Sequence, residues 1–298
     1  MQYAKPSFTS KVLLITAACI WGFAFVAQKE GGQLLGVFTF IAIRFGLGTL
    51  TLLPILLWIQ RKENLRLNLP LLNAGMLCGL FLFGGSYLQQ KGISFTSAGN
   101  AGFLTGLYIL IVPLVGIFFG KKSGIALWLG AIIAVFGMYL LTVKEGFQVS
   151  AGDILVFFGA FIWAGHVLVV SHFAPKHNAF MLAAVQFAVC SILSLIGMFL
   201  FEEPLVINIY QSYLPLLYTG ILSVGGAFTL QVVAQKKVHP SVASIILSLE
   251  SLFAAVGGWL LLNEKMSIKE LTGCAIIMIG ILVAQINFST IKNQKITT

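Results

Sequence analysis

Apolar runs too long for most soluble folds to bury constrain this chain more than any other feature. Residues 34–58 read LLGVFTFIAIRFGLGTLTLLPILLW, and Arg44 is the one charge among them. Ten such runs recur, over residues 11–28, 34–59, 70–90, 98–119, 124–143, 152–173, 178–201, 211–235, 241–262 and 269–287. About 20 mainly apolar residues in a helix cross a hydrocarbon core of roughly 30 Å. Stretches such as LWLGAIIAVFGMYLLTV lack the strict alternation of a barrel strand. Charged residues make up only 9% of the chain, against about 25% in soluble domains. The 31 glycines suit membrane helices, where small residues let backbones approach closely. The expected fold class is therefore an all-α polytopic membrane protein with ten transmembrane helices. The first run follows Lys5 and Lys11 but ends in WGFAFVAQKEGG and leads into nine more, so it reads as a retained span rather than a cleaved leader.

The net charge of +9 reflects topology rather than nucleic-acid binding. With the N-terminus in the cytoplasm, twelve Lys/Arg fall in cytoplasmic segments and five opposite, with Arg44 between. That bias follows the positive-inside rule and predicts that both termini are cytoplasmic. Cys19, Cys78, Cys190 and Cys274 fall in four different runs without ligand spacing. They read as small packing residues, and neither a metal nor a cofactor is expected.

The two halves echo each other. ACIWGFAFV carries Trp21, and GAFIWAGHVLV carries Trp163, 142 residues later. YLQQKGISFTSAGNAGFL (87–104) aligns with LQVVAQKKVHPSVASIIL (230–247), and FFGKK (118–122) with LLNEK (261–265), both at an offset of 143. Because five spans per copy is an odd number, consecutive copies are inverted relative to each other. The expected units are residues 8–146 and 150–288, followed by a short cytoplasmic tail, 289–298. Inverted repeats are common in secondary transporters, whose substrate site lies near mid-membrane between the halves; a duplicated scaffold is the alternative.

Polar residues at membrane depth are the candidate site. A charge there is costly and belongs in the bundle interior or a watery cavity. Arg44 shares a face with Val37, Ile41, Gly48 and Thr51, and the last two are expected to leave room beside the guanidinium. It lines the pathway, clamps carbonyls or another side chain, or snorkels. Glu250, in SIILSLESLFAAVGGW, needs a partner or carries a proton. Ser241, Ser244, Ser248 and Ser251 form a stripe nearly opposite it and read as a helix–helix seam. His166 either satisfies one hydrogen bond or serves a cavity. Trp21 and Gln28, Tyr87 and Gln90, Asn100 and Tyr108, Trp163, Gln186 and Gln231 complete the substrate-pathway candidates, suited to a small solute with an apolar part. HExxH, GxSxG, Walker A and paired deep carboxylates are all lacking, and Asp153 is the sole aspartate, so no enzyme is expected.

These residues resemble the drug/metabolite transporter superfamily, specifically its EamA-type ten-helix exporters. The resemblance rests on IWGFAFV, IRFGLGTLTLLP, GISFTSAGNAGFLTGLYILIVPLVGIFFG, FIWAGHVLVVSHFA, VHPSVASIILSLESLFAAVGGWLLLNEKMS and ELTGCAIIMIGILVAQ, spanning residues 10–287. It implies a multi-pass permease of the bacterial inner membrane, exporting amino acids or related small metabolites by alternating access. Its partners would be the lipid bilayer, a small-molecule substrate, and protons or a counter-substrate, but no nucleic acid; the protein would be a monomer or homodimer. A sensor or interaction module on the same fold is the alternative. Arg44, Glu250 and Glu264 match the family's arginine and glutamates. Two positions depart from the pattern: Gly120-Lys121 replaces gly-glu, and Ser251 replaces a proline.

Overall fold

The computed structural model describes residues 7–63, 67–118, 120, 123–142, 149–261 and 267–284. Glu264, the expected unit ends at 146 and 288, and the tail 289–298 lie outside the described residues. The described residues form helices α1 (Phe8–Leu34), α2 (Val37–Glu63), α3 (Leu69–Ile93), α4 (Ala98–Gly106), α5 (Tyr108–Phe118), α6 (Ile125–Thr142), α7 (Ala151–Phe173) and α8 (Ala179–Phe201). Beyond them run α9 (Val206–Gln211), α10 (Tyr213–Leu217), a π-helical stretch (Tyr218–Phe228), α11 (Thr229–Gln235), α12 (Pro240–Leu247), α13 (Leu249–Leu261) and α14 (Ile268–Ala284). Among the described residues, eight segments are long and apolar enough to cross a bilayer: α1, α2, α3, α4–α5, α7, α8, residues 213–235 and α12–α13. A shorter apolar helix covers Ile125–Leu141. The chain is an all-α polytopic membrane protein.

Helix starts follow the local chemistry. Ser7, Asn68, Ser97 and Asn178 each accept a backbone N–H of the first turn, and Ser150 with Asp153 forms a reciprocal capping box. The start of α2 is capped from another helix. Glu202, just past α8, accepts the N–H groups of Phe38 and Thr39 at 2.8 Å and the Thr39 hydroxyl at 2.7 Å. A carboxylate there also meets the positive end of the helix dipole.

Three of the expected continuous spans are interrupted. Residues 98–119 divide at Leu107, where the Leu107 and Leu110 N–H groups reach back three residues rather than four. Pro113, inside α5, withholds the N–H that would bond the Ile109 carbonyl. The 241–262 run divides at Ser248, whose hydroxyl donates to the Ile245 carbonyl at 2.8 Å. The 211–235 run passes through the wider π-helical turns. Tyr108 follows the first break directly, and Glu250 lies two residues beyond Ser248.

The outer surface is apolar: Leu50, Trp58, Phe158, Phe199 and Leu200 are all exposed. The principal core joins α2, α3, α7, α8 and the π-helical stretch. α6 and α14 form an antiparallel pair at the flank, with Gly130 against Gly280 and Ala284, and Gly137 against Gly273 and Ile277. A β-carbon on Gly137 would stand 2.7 Å from the Ile277 amide nitrogen, so these backbones touch through their glycines.

Candidate functional site

One cavity lies among the broken helices, with about 500 Å³ of atom-free space, part of it continuous with the outside. Only about 40 Å³ of it admits the centre of a water-sized molecule, which is space for a few waters.

Helix α1 contributes Trp21, Phe25 and Gln28, stacked by steps of four and three on one face. The Trp21 indole N–H donates to the Ser223 carbonyl at 3.4 Å, within the π-helical stretch. Phe228 ends that stretch, and its ring centroid lies 4.5 Å from that of Trp21 and 5.8 Å from that of Trp163, which stacks nearly parallel to it. Val167 continues the Trp163 face of α7 by one turn. At one end of the cavity Gln89 donates to Gln28 Oε1 at 3.3 Å, and Gln90 donates to the Gln28 carbonyl at 3.0 Å. Thr105, Tyr108, Gln231, Leu247 and Glu250 complete the wall with Arg44 and Gln89.

Arg44 is 4% exposed and its Nε has no hydrogen-bond partner. Its guanidinium carbon sits 5.1 Å from the Phe45 ring centroid and 5.5 Å from that of Phe40, within cation–π range. The expected space beside it at Gly48 and Thr51 is occupied. Gly48 receives Val224, and Thr51 packs on Gly225, so these small residues dock α2 onto the π-helical stretch. Glu250 is also 4% exposed and its Oε1 is unpartnered, as is the hydroxyl of the neighbouring Tyr108. Thr105 Oγ1, Trp163 Nε1 and Gln231 Oε1 are likewise buried without partners. Six unpartnered polar atoms therefore belong to residues that line one cavity, whereas native proteins leave few such groups without a reason.

Of the pathway candidates, the structure brings together Trp21, Gln28, Arg44, Tyr108, Trp163, Gln231 and Glu250, while Gln90 bonds the Gln28 carbonyl without lining the cavity. Tyr87 lies outside, half-buried and stacked on Phe38 at 5.0 Å, with Lys91 over its ring. Asn100 sits half-buried in the first turn of α4, its backbone N–H on the Ser97 cap. His166 and Gln186 are fully buried and bonded to each other at 3.0 Å behind the cavity wall. Sequence reasoning missed Gln89, Thr105, Val167, Ser223, Phe228 and Leu247; the adjacent Gln89-Gln90 pair was the available signal for the first. The serine stripe is a helix–helix seam only at Ser251, which donates to the Gly102 carbonyl at 2.8 Å; Ser241 shares a hydrogen bond of 3.0 Å with Ser123, and Ser244 and Ser248 donate back to the Ser241 and Ile245 carbonyls. A proline at 251 has no group to make the first of these contacts. Among the described residues no cluster of metal-ligating side chains occurs.

A family model for EamA-like transporters matches residues 9–143 and again 150–285. The chain belongs to the EamA-like transporter family. It is 28% identical over 277 residues to an uncharacterized transporter of Archaeoglobus fulgidus, covering 92% of this chain and 84% of that one. The uncharacterized transporter YoaV of Bacillus subtilis is 27% identical over 292 residues, 95% of this chain and 99% of its own length. A WAT1-related protein of Arabidopsis thaliana is 25% identical over 270 residues, covering 83% and 78%. A solved crystal structure superposes with a TM-score of 0.77 at 20% identity, over 92% of this chain and 96% of its own. This transporter moves small molecules across a membrane and is not an enzyme.

Proposed function

We propose that this transporter is a secondary exporter of amino acids or closely related zwitterionic metabolites, working by alternating access in a bacterial inner membrane. The observation that carries the reading is an arginine and a glutamate that line one cavity, each with an unpartnered polar atom. Arg44 comes from the first half of the chain and Glu250 from the second. A solute carboxylate suits the guanidinium, its ammonium suits Glu250, and Trp21, Trp163 and Phe228 suit an apolar side chain. Uniting the two charges through a solute also draws the halves together.

Ten spans in two inverted five-helix repeats are the architecture this mechanism uses. The antiparallel α6–α14 pair supports that reading, because Gly130 and Gly137 recur as Gly273 and Gly280 at the repeat offset of 143. Equivalent helices that pack antiparallel belong to copies of opposite orientation. The twofold family match and the excess of lysine and arginine on one side support it further, with both termini cytoplasmic.

The test is counterflow into liposomes containing purified protein, over a panel of amino acids, amines and carboxylic acids. Zwitterions should be carried in preference to the matching amine or acid alone. Verified folded protein with no flux across the panel would favour the sensor alternative; equal transport of the simple acid and the zwitterion would remove Glu250 from recognition.

A further inference from the structure

Behind the cavity's aromatic wall lies a second polar group that the transport reading leaves unused. His166 and Gln186 are fully buried, with His166 Nε2 and Gln186 Oε1 3.0 Å apart. The amide oxygen accepts, so the histidine proton sits on Nε2 and Nδ1 is left as an acceptor. Nδ1 of His166 and Nε2 of Gln186 have no partner. The pair thus holds one unused acceptor and one unused donor side by side. A primary carboxamide carries the complementary donor and acceptor.

Neither residue lines the cavity. Two aromatic rings that line the cavity pack against the imidazole. Phe228 and Trp163 both stand edge-on to the imidazole, at 6.0 and 5.8 Å between centroids and at 88°. Trp163 is the larger barrier, but Phe228 is the central one, touching the rings of Trp21, Phe45, Trp163 and Phe187 as well. It is placed there by the last turn of the π-helical stretch, which shifts the side chain out of α-helical register.

We propose that Phe228 is a specificity-determining residue: its ring closes off a polar annex formed by His166 and Gln186 that otherwise admits a carboxamide-bearing side chain. With the ring in place, the cavity favours apolar side chains. The identity of the carried solutes rests on the amino-acid reading above; the annex does not.

The test compares wild type with Phe228→Ala, Phe228→Leu and Phe228→Trp, each verified as folded. Diethyl pyrocarbonate modifies accessible imidazoles, and peptide mass spectrometry reads His166 against His172, His177 and His239 in the same sample. His166 should react at least tenfold faster in the Ala and Leu variants than in wild type or the Trp variant. Acetamide, a free carboxamide, should slow that labelling in Phe228→Ala and leave the other histidines unaffected. In counterflow, competition by L-glutamine relative to L-leucine should improve about tenfold in the same variants. The leucine variant retains apolar filling where alanine fails to fold. A protected His166 in folded Ala and Leu variants overturns the proposal, as does acetamide without effect or an unchanged glutamine-to-leucine preference. His166 reactive and protected by acetamide, with no amino acid carried by wild type, supports the annex and overturns the amino-acid reading alone.

Discussion

Replacing Arg44 by glutamine separates recognition from stability because its two effects on stability have opposite signs and nearly cancel. The guanidinium rests on Phe40 and Phe45 with its Nε unpartnered. Losing two cation–π contacts costs about 1 kcal/mol each. Removing a buried, unsatisfied charged donor returns about 1–3 kcal/mol. Net stability should therefore change by no more than about 1 kcal/mol. A charge-assisted hydrogen bond to a solute carboxylate contributes about 1.5–3 kcal/mol, or roughly ten- to hundredfold in affinity. Arg44→Gln should thus melt within a few degrees of wild type in a thermal scan of detergent-purified protein, yet bind a carboxylate-bearing substrate ten to a hundred times more weakly. Arg44→Lys, which keeps the charge without the planar fork, should fall between. A large loss of thermal stability with unchanged affinity would mean that the guanidinium holds the helices together, and the recognition argument would fail.

Glu202→Ala removes three acceptor contacts at the start of α2 and should destabilise by about 2–4 kcal/mol, seen as a lower melting temperature; an unchanged melt refutes the cap's importance. Gly137→Val drives a branched side chain into the Ile277 amide and the Gly273 carbonyl and should cost about 1–3 kcal/mol or more. Gly124→Val, with nothing within 4 Å of its β-carbon, should be neutral, and equal effects of the two would remove the α6–α14 seam as the cause. Reporter fusions at Thr298 and within residues 144–150 should read cytoplasmic and external respectively; an external C-terminus contradicts the ten-span topology.

Membrane embedding, the helical class and the polar residues with a reason to be interior were legible in the linear sequence. Run length and charge scarcity speak to the bilayer directly, because each residue's transfer from water depends little on its distant neighbours. Arg44 and Glu250 stood out for the same reason. Convergence was not legible. Gln89 lines the cavity while Tyr87, two positions earlier, lies outside it, because two residues turn a helix by about 200°. His166 follows Trp163 by about one turn yet does not line the cavity; the ring of Phe228, which does, packs against its imidazole. Phe228 itself escapes any 3.6-residue pattern because π-helical turns precede it. Gly48 is the sharpest contrast. Its sequence position implied open space beside Arg44, whereas Val224, 176 residues away in the chain, occupies it. Local chemistry decides whether a residue belongs in lipid or interior; only the packing of distant helices decides which interior groups share a cavity.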